Sequence, residues 1–290
     1  MNEQQRKWLY LSTLALVWGS SFILMKKALV GLTPIQLGAL RMIISGIFLL
    51  LIGFKTLKKI QKKHWKYIFY TAMLGTFFPS FLFAYALSRI DSSISAILNS
   101  LTPFNTFIIG ALFFGFAFKK KQLIGILVGL IGTLILILEG AGMNPDQNYW
   151  FATLVMIASM GYAFNSNMVK RYLYDVNALA IVTGNFLLLI IPATIILFLT
   201  DYHVDFTWNA QTQSALGYVT LLAIIGTGLA KTLYNRLVQI SSPVFSASVT
   251  YLIPVVAVLW GVIDGEKLSL IQLLAGGIIL IGVYLVNKAK

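Results

Sequence analysis

Two cations stand inside runs of sequence that are otherwise apolar: Arg41 in residues 36–54 and Lys231 in residues 212–237. A charged side chain within a membrane span costs at least ~2.5–3.5 kcal/mol, so each needs a partner, water or a route to the headgroups. Arg41 can snorkel outward or bind backbone carbonyls near the first interhelical turn. It can equally meet a carboxylate or phosphate on a bound solute. Lys231, a turn or two from the inner end of its run, can snorkel to the headgroups or face a cavity as an anion contact. Neutral polar and aromatic residues accompany them near mid-run. Trp18, Ser21, Phe22 and Met25 share helical spacing, as do the pairs Asn99/Thr102 and Tyr162/Asn165. Thr250 and Tyr251 complete the set of candidate substrate contacts. For the asparagines, including Asn105 and Asn167, hydrogen bonding between helices competes with ligand contact; such bonds average ~0.6 kcal/mol.

These groups bind; they do not make or break bonds. The chain has no cysteine, and its two histidines, His64 and His203, fall in segments read as loops. No Asp or Glu lies deep in any apolar run. Nucleophile–base pairs, metal clusters and paired carboxylates are therefore lacking, which argues against an enzyme and implies neither cofactor nor metal. The same ground argues against a carboxylate proton relay and for facilitated export or exchange. Sodium held by freed carbonyls at Asn99 or Thr250 stays open.

The elements that must position these residues are membrane helices. Of 290 residues 58% are hydrophobic and 11% charged, against roughly 25% charged in a soluble domain. Apolar windows predict ten spans, at 9–28, 36–54, 66–87, 92–114, 122–139, 149–169, 178–199, 212–237, 243–263 and 270–287. The first, preceded by Arg6 and Lys7, lacks a small-x-small cleavage site and is read as a retained span. Proline breaks two spans. Pro103 removes the donor for the carbonyl of Asn99, and Pro254 does the same for Thr250. In lipid such carbonyls must be satisfied by protein or a wet cavity, so both prolines are candidate hinges or gates.

Counted back from each proline, Ser95-Ala96 matches Ser246-Ala247, and Asn99 matches Thr250. Gly19-Ser-Ser-Phe22 recurs as Gly161-Tyr-Ala-Phe164. The chain therefore reads as two five-helix halves, 9–140 and 148–288. Sixteen of the 22 basic residues fall on the side shared by residues 55–66, Lys119–Lys121, Lys170, Arg171, Arg236 and the termini, against four on the other side (Lys26, Lys27, Arg89, Lys267). This bias puts both termini in the cytoplasm. Five spans per half is odd, so the halves enter the membrane from opposite sides, the inverted repeat of secondary transporters. The fold class expected is an all-α membrane protein of ten helices in two inverted repeats. The net charge of +13 then reflects topology signals and lipid-headgroup contacts, not nucleic-acid binding. Gly125, Gly129 and Gly132 in span 5, with Gly276, Gly277 and Gly282 in span 10, allow close helix packing, within the chain or in a homodimer.

Trp18-Gly19-Ser20-Ser21-Phe22, Pro34…Arg41, Tyr85-Ala86-Leu87, Ser95-Ala96…Pro103 and Ser246-Ala247…Pro254…Gly265-Glu266 resemble the EamA-type repeats of the drug/metabolite transporter superfamily, over nearly the whole chain. The resemblance implies spans 1–4 and 6–9 around a central cavity, with spans 5 and 10 at the periphery. It also implies export or exchange, across an inner membrane, of small metabolites such as amino acids. Carriage of phosphorylated or nucleotide-sugar anions through Arg41 and Lys231 is the alternative, and a receptor or scaffold a remote one. The family's glutamate after the proline span appears as Glu266, while Phe116–Lys119 stands there in the first half; Glu266 is therefore read as a helix cap.

Overall fold

The computed structural model describes residues 2–89, 95, 98–117, 119–141, 149–200, 208–263 and 269–288. These are mostly helical, joined by short turns, with no strand among them. Five helices are long and apolar enough to cross a membrane: α1 (Glu3–Ala28), α2 (Pro34–Leu57), α3 (Lys62–Leu87), α7 (Ala178–Leu199) and α8 (Ala210–Ile240). Between and after them come α4 (Thr102–Phe114), α5 (Lys120–Ala141), α6 (Ala152–Tyr172), α9 in two pieces (Pro243–Ala247 and Val249–Ile263) and α10 (Leu270–Lys288). Large apolar side chains face outward, Leu51 with 81% and Leu199 with 80% of their surface exposed. A soluble monomer keeps such patches small; here they mark a membrane protein.

Local chemistry starts the helices where the apolar runs begin. Asn2 and Gln5 close a capping box at α1, Thr33 and Gln36 another at α2, and Asn209 and Thr212 a third at α8. Asn177 caps α7 through the N–H groups of Leu179 and Ala180. Gly115, at φ 64°, ends α4 in the left-handed conformation that glycine adopts without steric cost.

Two departures from regular helix shape the interior. In α3 the segment Met73–Phe77 is a π turn, and in α8 so is Leu222–Leu229. Pro79 accounts for the first, because it removes the N–H that would otherwise bond the carbonyl of Gly75.

Glycines set how the helices meet. A Cβ on Gly19 of α1 would lie 2.5 Å from Val256 Cβ of α9, and one on Gly161 of α6 would lie 2.4 Å from the carbonyl oxygen of Leu74 in α3. The expectation for spans 5 and 10 is met within one chain: α5 packs on α10, where a Cβ on Gly282 would lie 2.4 Å from Gly129 N. Gly276 and Gly277 face open space and take no part.

Several expectations need correction. The break expected in span 4 does not fall at Pro103: Ser100 and Leu101 form a turn, and Pro103 sits in the first turn of α4, where its fixed φ and missing N–H carry no cost. Pro254, by contrast, lies inside α9. His64 belongs to the first turn of α3 and is buried, with Nε2 3.5 Å from Asp175 Oδ1. Ala96, His203 and Glu266 lie outside the described residues.

Candidate substrate-binding cavity

Helices α1, α2, α3, α6, α8 and α9, with the turn before α4, surround an internal cavity of about 120 Å³, measured as space open to the centre of a water molecule. One water needs about 10–15 Å³ on that measure, so the cavity holds several waters or a small solute. Ten of the eleven candidate contacts line it: Trp18, Ser21, Phe22, Arg41, Asn99, Thr102, Tyr162, Asn165, Lys231 and Thr250. Tyr251 does not. It is fully buried, its ring fills the space above Gly129, and its hydroxyl donates to the carbonyl of Ile126 at 2.9 Å. Its role here is to fasten α9 to α5.

The π turns hold the two cations. Lys231 Nζ donates to the carbonyl of Gly75, the group freed by Pro79, and to Thr76 Oγ1. Lys231 therefore turns inward and does not snorkel to the inner headgroups. Arg41 crosses to the other π turn, where Nε donates to Thr227 Oγ1 at 2.6 Å; its Nη1 lies 3.8 Å from Met25 Sδ. Thr227 in turn donates to the carbonyl of Leu222 at 3.2 Å, five residues back. Trp18 Nε1 donates to the carbonyl of Gly226 at 2.9 Å and Ser45 Oγ to that of Ala223 at 2.8 Å. Bulged backbone, which has no place against lipid, is thus satisfied by side chains from other helices.

Among the described residues, every partner of Arg41 and Lys231 is neutral. Among the described residues the acid–base pairs are Lys7–Glu3 and His64–Asp175, both remote from the cavity. Neutral oxygens and a thioether offset only part of the desolvation of a buried cation, a cost of several kcal/mol per ion that an anion offsets best.

The proline-freed carbonyls expected from sequence are both engaged by protein. Thr102 Oγ1 donates to the carbonyl of Asn99 at 2.6 Å, and Ser100 Oγ approaches that of Thr250 at 3.5 Å. The asparagines divide. Asn105 donates to Ser159 Oγ at 2.8 Å, Asn167 to the carbonyls of Thr106 and Ala163, and Asn99 Oδ1 accepts from Thr102. Asn165, 3% exposed, makes no hydrogen bond among the described residues, and its Oδ1 is buried without a partner.

Sequence reasoning missed part of the wall: Thr76, Ser80, Phe83, Thr227 and Tyr234 also line the cavity. Tyr234 shares a 2.7 Å hydrogen bond with Ser166 Oγ and packs 5.2 Å from the Trp18 ring. The signal that could have found the π turns is Gly75-Thr76, repeated as Gly226-Thr227 at the same offset that relates Asn99 to Thr250.

Comparison with known proteins agrees with this architecture. The EamA-like transporter family matches twice, at residues 6–138 and 149–288. The chain is 28% identical over 287 residues to the uncharacterized inner membrane transporter YedA of Escherichia coli (strain K12), covering 97% of this chain and 90% of that one. It is 22% identical over 290 residues to an uncharacterized transporter of Archaeoglobus fulgidus, covering 98% and 100%. A protein of known crystal structure superposes with a TM-score of 0.74 at 18% identity over 96% of this chain and 94% of that one, a likeness of fold. With the family matched in both halves of an all-helical membrane fold, this chain belongs to the EamA-like transporter family and is a membrane transporter.

Proposed function

We propose that the protein is an inner-membrane secondary transporter that exports or exchanges a small metabolite bearing a negative group, such as an amino acid. The substrate occupies the central cavity, and access alternates between the two sides. The observation that carries this reading is a cavity among the helices, walled by both family-matched halves, in which Arg41 and Lys231 meet only neutral partners among the described residues. Trp18, Phe22 and Tyr162 supply apolar wall. Ser21, Asn99, Thr102, Asn165 and Thr250 supply polar contacts. Pro103, just after the turn at Ser100 and Leu101, and Pro254, inside α9, serve as hinges beside the cavity.

The topology that goes with this function has ten spans in two inverted halves, 9–140 and 148–288, with both termini in the cytoplasm. The absence of cysteine makes it testable: single cysteines at Lys120, at the start of α5, and at Ser269, just before α10, should react with an impermeant maleimide from opposite faces. Labelling of both from one face would refute the inverted arrangement.

A second reading, carriage of phosphorylated or nucleotide-sugar anions, is favoured by the presence of two cations in one cavity. Thermal unfolding of detergent-purified protein against amino acids, phosphorylated sugars, purines and lipophilic cations separates the two. A ligand at 100 times its Kd adds ~2.7 kcal/mol. Stabilisation by amino acids supports the first reading, and stabilisation by phosphates alone supports the second. Stabilisation only by lipophilic cations would sink both.

A further inference from the structure

We infer that the joined ends of α6 and α8 are the gate through which the cavity opens to one side of the membrane, and that Lys170 and Gln239 are its gating residues. This deepens the carrier reading, in which access alternates, and rests on it.

At the end of the bundle where α6 and α8 finish, the cavity is cut off by an apolar layer. Leu14, Val169, Val238 and Phe245 each stand four residues beyond a wall residue of the same helix, namely Trp18, Asn165, Tyr234 and Val249. The four are at most 4% exposed and belong to one core. A solute passes at this end only if that layer parts, and the layer parts only if α6 and α8 separate.

The two helices are held together there by an exchange of caps. A helix ends with carbonyls that its own N–H groups cannot reach. Lys170, in the last turn of α6, donates through Nζ to the carbonyls of Gln239 and Ser241 at the end of α8, at 2.9 and 2.5 Å. Gln239, in the last turn of α8, donates through Nε2 to the carbonyls of Leu173 and Val176 just past α6, at 3.0 and 2.7 Å. Each helix thus satisfies the other's end, and the lysine charge also meets the negative pole of α8. Nearer the cavity, Ser166 and Tyr234 join the same helices at 2.7 Å, and Tyr234 is part of the wall. Lys170 and Gln239 are only partly buried, so water can replace these bonds when the ends part. A gate requires that combination: bonds that hold while it is shut and are exchanged for solvent when it opens. In the proposed topology this end faces the cytoplasm, and the structure is the carrier shut against it.

The cysteine-free chain allows a direct test. A single Ser80→Cys thiol, on the α3 wall of the cavity and outside the latch, is treated with sulfonatoethyl methanethiosulfonate, an impermeant anion, in membrane vesicles of either orientation. The latch face is the one from which a cysteine at Lys120 reacts, because α5 begins at the end where α6 finishes. From that face the Ser80→Cys thiol should react slowly. Adding Lys170→Met should speed the reaction about tenfold, the factor expected for loss of a charge-assisted hydrogen bond. Gln239→Leu should act in the same direction. Neither should speed reaction from the opposite face.

Faster reaction from both faces would mean that the variants loosen the whole bundle. Unchanged rates, or a parent already fast from the latch face, would mean that these bonds do not hold the cavity shut. Each of these results overturns the inference and leaves the carrier reading standing. If the thiol reacts from neither face in any variant, yet reacts once the protein is denatured, the cavity opens to neither side and both fall.

Discussion

The π turns of α3 and α8 hold matching places in the two halves but are built by different means. Gly75-Thr76 and Gly226-Thr227 are 151 residues apart, as are Pro103 and Pro254. In α3 the cause is covalent: Pro79 withholds a donor, and the carbonyl of Gly75 takes Lys231 from the other half. In α8 no proline occupies the corresponding place. There Gly226 and Gly228 weaken the helix, Thr227 reaches back to Leu222, and Trp18 and Ser45 hold the loosened carbonyls. One turn is enforced by a missing atom and the other by a set of side chains. In both, side chains from the opposite half reach the turn: Lys231 in α3, and Trp18 and Ser45 in α8. The bulge is thus common to the two halves, and each half reaches it by its own chemistry. What the bulges have in common is that they turn backbone acceptors toward the cavity, where the cations are.

That contrast can be broken from either side. The largest effect is expected from Gly75→Val, which drives methyl groups into the Asn165 amide. Overpacking of this kind costs about 1–3 kcal/mol, and transport should be lost with insertion unchanged; wild-type transport would show that Asn165 and the turn can move apart freely. Pro79→Ala acts in the opposite direction. It returns the N–H to α3, so the Gly75 carbonyl can bond within the helix and release Lys231. A melting temperature raised by the equivalent of about 1–3 kcal/mol, together with slower transport, is the expected pair of results. A lowered melting temperature would mean that proline is not what holds the turn open. Trp18→Phe, the mildest, keeps an aromatic ring and deletes the donor to Gly226. A loss near ~0.6 kcal/mol is expected, and a loss several times larger would make α8 the more fragile of the two turns.

The cavity was largely legible in the sequence because polar side chains inside apolar runs are few and costly. Ten of those picked out do line one space. Tyr251 was misplaced for a physical reason: a tyrosine hydroxyl needs only one acceptor, and a neighbouring helix supplies it across Gly129. The π turns escaped because hydrophobic periodicity does not distinguish an inserted residue from regular helix. Pro103 marked span 4 as broken, but the break falls before it, at Ser100 and Leu101, because proline is well tolerated in the first turn of the helix that restarts there. The isolation of Asn165 could not be read at all. Asn105 has the same chemistry and donates to Ser159; Asn167 donates to Thr106 and Ala163, although its Oδ1, like that of Asn165, is buried without a partner. Which asparagine is left without one depends on how the helices come together.

The glycine seam between α5 and α10 bears on the order in which the protein is made. Helix α5 leaves the ribosome with Gly125, Gly129 and Gly132 uncovered, and the residues that cover them, Tyr251, Ile279 and Gly282 among them, belong to α9 and α10, which are translated only after α6, α7 and α8. The first half therefore enters the bilayer with an open backbone groove that stays unfilled until α10 has been made.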